Sequence, residues 1–308
     1  MSLRLKNMLR ISVTLGLMAL VLSWVDPARL TEIATTANSR WIALSALFFL
    51  GIVLLEAIQF AAVARAFDTR IAFPSALQVA LTGRFYALFT PAMIGSDIYR
   101  VVALRDSAAG LREALHITAV SRLISLAALV PVMLAGTPWL WHFSTPLQFA
   151  AYASIIGAAT GFVAVIIIAP PDRLARIPYL GQTQVMQELV AAAQALQSVA
   201  RKSRQSSQIW TSAIGQHLFR VLSLTTLGVA FGVNVGIEAV FAIAPVSLLI
   251  AMLPLSLGGW GLREISLVGG LSMAGASPDT VLLTSVGFGL IGTGFGLAGA
   301  VWGGLRPK

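Results

Sequence analysis

The chain of 308 residues contains no cysteine, which excludes disulfide frameworks, thiolate catalysis, iron–sulfur clusters and cysteine-ligated zinc. Charged residues are scarce as well, at 11% of the chain against 57% hydrophobic residues. A soluble domain of this length does not have such a composition, and it is typical of a protein embedded in a bilayer. The only histidines, His116, His142 and His217, are scattered along the chain, so no metal site is expected.

Motifs for nucleotide binding or catalysis are also missing. None of the three lysines, Lys6, Lys202 and Lys308, stands in a glycine-rich loop, and there is no serine elbow or H-E-x-x-H sequence. We therefore expect neither an enzyme nor a bound cofactor. The net charge of +9 would suggest nucleic acid for a soluble protein, but cytoplasmic loops of membrane proteins collect lysine and arginine. No nucleic-acid partner is expected.

Six apolar runs predict transmembrane helices. The first, 11–25, follows three basic residues and is interpreted as an uncleaved helix that begins in the cytoplasm. Five further runs have the length of about 20 residues that a crossing needs. They are 41–63, 114–136, 148–169, 209–232 and 278–302.

Two apolar regions remain, 73–104 and 238–274, and each carries one copy of a repeated decamer. PAMIGSDIYR at 91–100 and PLSLGGWGLR at 254–263 share proline, glycine and arginine at the same offsets. Two full crossings need about 40 residues and a turn, and both regions are shorter. We predict re-entrant hairpins of two half-helices each, broken at 91–95 and 254–261. The residues predicted to break the helices are Pro91, Gly95, Pro254, Gly258, Gly259 and Gly261.

The distribution of charge orients these segments. With re-entrant hairpins most lysines and arginines are cytoplasmic, including the RKSR cluster at 201–204, as are both termini. The first hairpin then enters from the cytoplasm and the second from the exterior. The predicted fold is all-α and polytopic, a single integral membrane domain over 1–308 with six transmembrane helices and two re-entrant hairpins. Its halves, 41–136 and 209–302, form an inverted repeat.

Residues 170–208, between the halves, are predicted to be a cytoplasmic linker. Apolar residues recur in it at helical spacing before the RKSR cluster, which is typical of an interfacial helix on anionic lipid. An ordinary solvated helix explains the pattern equally well.

Five arginines fall at membrane depth, and buried charge in lipid is rare unless it serves function. They are Arg84, Arg100, Arg122, Arg220 and Arg263, whereas the acids at that depth are Glu56, Asp97 and Glu264. The excess of positive charge predicts a cavity that attracts anions, and guanidinium binds phosphate through two parallel hydrogen bonds. The candidate substrate-binding residues are Glu56, Asp97, Arg100, Arg122, Arg220, Trp260, Arg263 and Glu264.

Structural explanations stay open for several of these residues. Asp97 could neutralise Arg100, and Glu264 could neutralise Arg263, in fixed ion pairs. Arg84 and Arg220 lie near predicted helix ends, where an arginine can extend its charge to the interface. Trp260, inside the second break, gates the cavity or fills it. For His116 and His217 a packing role is favoured over proton relay.

The segment MLPLSLGGWGLREISL at 252–267 resembles the P-x-S-x-G-G-x-G-x-R-E signature of a known family. This family is the transmembrane region of bacterial lysylphosphatidylglycerol synthases and their stand-alone flippase-like relatives. The turn P-x-x-x-G-x-D-x-x-R at 91–100 and the stretch AVSRLISL around Arg122 also agree with it. In the two-part enzymes a soluble aminoacyl-transferase domain follows. The resemblance is to the membrane region alone, so it implies lipid translocation and not synthesis of aminoacylated lipid.

These observations together predict a flippase-like protein of the bacterial inner (cytoplasmic) membrane. Its partner would be a membrane lipid with a phosphate or other anionic, or glycosylated, headgroup, and a homo-oligomer is compatible with the sequence. One alternative is a secondary transporter of a soluble organic anion. The other is a non-transporting membrane subunit that supports a lipid-modifying or glycosyl-transferring enzyme.

Overall fold

The computed structural model describes residues 3–91, 93–105, 110–142, 152–161, 163, 194, 196–197, 199 and 203–303, with residues 3–10, 142, 203 and 204 described by their backbone alone. These residues form helices and connecting turns, with no strand among them. The all-α prediction is therefore confirmed for this part of the chain.

Ten α-helices are numbered in chain order. They are α1 Leu3–Leu22, α2 Pro27–Thr36, α3 Ser39–Ala66, α4 Phe73–Leu88, α5 Ile94–Leu104, α6 Gly110–Ala135, α7 Ser203–Ala230, α8 Ile237–Ala251, α9 Leu262–Met273 and α10 Pro278–Gly303. A short 3-10 helix, Thr137–His142, follows α6, and residues 152–161 are helical.

Three of these helices, α3, α6 and α10, are long and apolar enough to cross a membrane. The number is four if α1 and α2, which meet at 83°, together form one broken span. Helix α7 has 28 residues, as α3 does, but is more polar. Half of the predicted run 148–169 lies outside the described residues. Large apolar side chains such as Leu47, Leu290 and Val301 are exposed, as expected for surfaces in contact with lipid.

The structure corrects the predicted boundaries of two segments outside the hairpins. The first helix ends at Leu22, and a helix that was not predicted, α2, begins after Asp26, whose side chain accepts a hydrogen bond from Ala28 N at 2.9 Å. The predicted linker 170–208 lies largely outside the described residues, but its last six belong to α7. Leu196 and Val199, two of the apolar residues at helical spacing in this linker, are 1% and 2% exposed and pack into the protein core.

Helices α3 and α7 form an antiparallel pair at the centre of the molecule. Ser45, early in α3, and Ser223, late in α7, donate hydrogen bonds to each other's backbone carbonyls at 2.8 and 3.1 Å. At the other end Arg65 of α3 donates to Gln208 of α7 at 2.9 Å. Between them Gly51 faces the ring of Phe219, and Gly215 faces Leu55. Small residues allow close approach on both helices.

Each of the two regions predicted as hairpins consists of two short helices that pack against each other. Helices α4 and α5 are separated at residues 89–93, and α8 and α9 at residues 252–261. The two breaks contact each other: Gly258 N donates to Thr90 O at 3.1 Å, and Pro91 forms an antiparallel bridge with Leu257. Gly95, predicted to lie in the first break, is instead the second residue of α5.

Candidate functional site

A cavity of about 150 Å³ lies where the two breaks meet. Its wall is formed by Phe49 and Glu56 of α3, Arg84, Ala87 and Leu88 of α4, Met93 and Ser96 at the start of α5, Arg220 of α7, Gly258, Trp260 and Arg263 of the second break and α9, and Phe288, Gly289, Gly292 and Thr293 of α10. The residues from α3 and α10 flank the midpoints of those helices. The cavity is therefore at the middle of the two spans.

Glu56 holds two arginines at this cavity. Its Oε2 accepts a hydrogen bond from Arg84, and its Oε1 accepts one from Arg100, which lies behind the wall and is 9% exposed. Each guanidinium also lies over an aromatic ring, Arg84 over Phe49 at 5.1 Å and Arg100 over Phe60 at 5.3 Å. One carboxylate thus joins α3, α4 and α5, and it carries one negative charge for two positive ones.

Arg263 and Glu264 form a second, self-contained pair. Arg263 donates to Glu264 Oε1 at 2.6 Å, and Glu264 Oε2 accepts from Gly261 N at 2.6 Å, which caps the start of α9. Ser285 of α10 donates to Glu264 at 2.8 Å. The guanidinium lies over the ring of Trp260 at 4.9 Å, so Arg263 borders the cavity while its charge is compensated by its neighbour.

Arg220 differs from the other cavity arginines. Its Nη1 is 3.2 Å from Nδ1 of His217, and none of the described carboxylates lies within ion-pairing distance of it. A guanidinium has only donors, so Nδ1 must accept and the imidazole is neutral. The proton is then on Nε2, which donates to Ser125 O at 2.8 Å. His217 therefore contacts Arg220 as a neutral imidazole, which agrees with a packing role.

The site carries an excess of positive charge. Of the carboxylates in the described part of the chain, only Glu56 and Glu264 accompany Arg84, Arg100, Arg220 and Arg263. The amino ends of α5 and α9 also border the cavity, and helix amino ends add partial positive charge. The arrangement suits an anion. Among the described residues no group of three potential ligands could hold a metal ion.

Asp97 and Arg122 lie outside this cavity. They pair with each other and line a separate groove of about 410 Å³ between α5 and α6, whose wall is otherwise apolar except for Thr118. The alternative that Asp97 neutralises Arg100 is therefore wrong, because Arg100 pairs with Glu56 instead. The alternative that Glu264 neutralises Arg263 agrees with the observed pair.

Sequence reasoning found most of the charged wall. Glu56, Arg220, Trp260 and Arg263 line the cavity, and Arg100 and Glu264 contact its lining residues. Arg84, which the sequence places at membrane depth but not among the candidate substrate-binding residues, also borders the cavity. Its position along α4 carries a signal: Arg84 lies four residues, about one turn, before Leu88, the last residue of the helix, and is therefore close to the break.

Residues 7–299 match the family described as the lysylphosphatidylglycerol synthase TM region. The match covers both breaks and every residue of the cavity wall. None of the curated proteins compared with the chain matches it.

Proposed function

Because the chain belongs to the family of the lysylphosphatidylglycerol synthase TM region, we propose that it moves an anionic lipid headgroup between the leaflets of the bacterial cytoplasmic membrane. The observation that carries this proposal is the cavity at mid-span, lined by both helix breaks and by more arginines than acids. Buried charge of this kind is energetically unfavourable in a bilayer, and it is rarely retained there without a function. We propose transport without a chemical step.

We further propose that the two halves are an inverted repeat with two re-entrant hairpins. The lengths of corresponding helices support it: α3 and α7 have 28 residues each, and α6 and α10 have 26 each. The contacts of the central pair support it too. Gly51 of α3 faces Phe219 of α7, and Gly215 of α7 faces Leu55 of α3, so exchanging the two halves converts each contact into the other. Contact between the breaks is the arrangement expected at such an axis.

In this mechanism the headgroup occupies the cavity while the hydrocarbon tails stay in the bilayer. The tails pass along the outside of the helices, and movement of one half against the other alternates access. The two breaks are where the halves touch near the cavity, so they are the natural place for that movement.

Translocation can be measured in liposomes that contain phosphatidylglycerol with a fluorescent acyl chain. A reductant that cannot cross the bilayer should quench about half of the fluorescence in empty liposomes and nearly all of it with the protein. Arg263→Met should abolish the additional quenching. Arg65→Gln, at the exposed end of α3, is the matched control and should keep it. Quenching that stays at half with the wild-type protein would contradict the proposal.

The inverted arrangement has a separate test, because the chain contains no cysteine. Single cysteines at Arg105, at the end of α5, and at Met273, at the end of α9, are exposed positions for labelling. In oriented membranes the first should react with an impermeant maleimide from the cytoplasm and the second from outside. Labelling of both from one side would rule out the inversion.

A further inference from the structure

The charges of the central cavity specify how much negative charge a ligand must bring. Glu264 is saturated by Arg263, Gly261 and Ser285, so the second half of the site is neutral without a ligand. Glu56 shares its single charge between Arg84 and Arg100. Arg220 has no carboxylate partner among the described residues and has a neutral imidazole beside it.

Two positive charges therefore remain uncompensated, and both belong to the same side of the cavity. Arg84 and Arg220 line the wall together with Glu56, and Arg220 is close enough to interact electrostatically with Arg84, Arg100 and Glu56. Arg84 also has an unsatisfied donor, since its buried Nε has no hydrogen-bond partner among the described residues. A buried donor without a partner is unfavourable, and a bound acceptor would satisfy it.

We propose that the cavity selects a headgroup with two negative charges on one group, a phosphomonoester, which Arg84 and Arg220 bind together. A phosphodiester has one charge and two accepting oxygens, so it leaves one arginine uncompensated. A phosphomonoester has three terminal oxygens and, above its second pKa of about 6, close to two charges. This inference rests on the proposed function, because it names the substrate class of the same site.

Lipids of identical tails and different headgroups test the proposal at pH 8 in liposomes with the whole protein. Phosphatidic acid is the monoester, phosphatidylglycerol the diester, and phosphatidylcholine the neutral reference. The wild-type protein should move phosphatidic acid about tenfold faster than phosphatidylglycerol, the factor that one additional charge-assisted hydrogen bond supplies. Arg220→Gln and Arg84→Gln should each bring the two rates to near equality, and Arg65→Gln should keep the preference.

Binding provides a readout that does not depend on transport. Dihexanoyl phosphatidic acid and dihexanoyl phosphatidylglycerol, titrated into the purified protein in detergent, should show the same tenfold preference, and Arg220→Gln should remove it. This measurement applies to variants that fold but no longer move lipid.

The outcomes separate the selectivity from the function. Equal or faster movement of phosphatidylglycerol by the wild-type protein would overturn the selectivity while translocation stands. Movement of none of the lipids, together with equal binding of the two short-chain lipids, would overturn both. Uptake of inorganic phosphate into the same liposomes, with no lipid moved, would support the doubly charged site and replace the lipid substrate by a soluble anion.

Discussion

The two helix breaks resemble each other in sequence and differ in how their arginines are compensated. In the second break Arg263 pairs with the next residue, and Glu264 also caps the helix that begins there. In the first region the partner comes from another helix: Glu56 of α3 serves Arg84 and Arg100, which are 28 and 44 residues away. The arginine at the second break thus has a carboxylate partner next to it in the sequence, whereas the arginines of the first region share one from another helix.

The difference has a geometric origin. The first break extends over residues 89–93 and the second over 252–261, so the arginines of the two decamers occupy different places in their helices. Arg263 is the second residue of α9, but Arg100 is the seventh of α5. Arg100 therefore faces α3 from within the bundle and Arg263 borders the break itself. The excess of positive charge therefore lies on the side of the first break, at Arg84 and Arg220.

The largest expected effect is on the second pair. Glu264→Gln leaves Arg263 buried without its partner and should lower the free energy of unfolding by about 3 to 5 kcal/mol. Arg263→Met combined with Glu264→Gln should restore much of that loss, because replacing both partners of a buried pair is close to neutral. Thermal unfolding in detergent measures this. A double variant as unstable as the single one would contradict the structural role of the pair.

The same double variant separates structure from transport. If Arg263 also binds the headgroup, the double variant should fold and still fail in the liposome assay. Recovery of transport together with stability would show that Arg263 serves the fold alone.

A smaller and ligand-dependent effect is expected at the first break. Glu56→Gln removes the shared carboxylate and leaves Arg84, Arg100 and Arg220 facing one another, which should destabilise the protein by about 2 kcal/mol. Because an anion can replace the lost charge, short-chain phosphatidic acid should raise the melting temperature of this variant more than that of wild type. Glu264→Gln is the control, since its site is closed by protein contacts. If short-chain phosphatidic acid raises the melting temperatures of Glu56→Gln and Glu264→Gln equally, the proposed difference between the two breaks is wrong.

The features that arise from composition and from the spacing of apolar residues could be predicted from the sequence. The pairing of charged side chains could not, because it depends on the length of each break. The all-α membrane fold and both helix breaks follow from apolar runs and from proline and glycine, which are local signals. The pairing of Arg100 with Glu56, rather than Asp97, depends on the position of Arg100 along α5. A decamer aligned without gaps cannot provide that position, because the second break is longer.

Helix α2 shows a different limit. Its ten residues contain too few apolar residues to stand out beside the long runs, and its start at Asp26 and Pro27 has the features of a turn as well as of a helix cap. Its position is fixed by a distant contact, in which Asp26 N donates to Asp279 of α10 at 3.0 Å. A contact between residues so far apart leaves no signal in a single sequence.

The last expected effects come from the glycines, which serve the two breaks differently. A Cβ at Gly95 would lie 2.7 Å from Thr90 Oγ1 and 2.6 Å from the carbonyl carbon of Tyr86, so Gly95→Ala should destabilise by about 1 to 3 kcal/mol through overpacking. At Gly258 the nearest atoms are 3.3 Å away and φ is +57°, so Gly258→Ala should cost only about 1 kcal/mol of backbone strain.

Asparagine distinguishes these two causes, because it tolerates a left-handed backbone but is larger than alanine. Gly258→Asn should be less harmful than Gly258→Ala, and Gly95→Asn should be more harmful than Gly95→Ala. Gly294→Ala in α10 is the control: nothing lies within 4 Å of its Cβ, so higher helix propensity should leave stability unchanged or raise it by up to about 1 kcal/mol. Melting temperatures in detergent provide the comparison. If the alanine and asparagine variants rank in the same order of stability at Gly95 and at Gly258, the same cause acts at both glycines. The contrast between backbone conformation at one break and packing at the other would then fail.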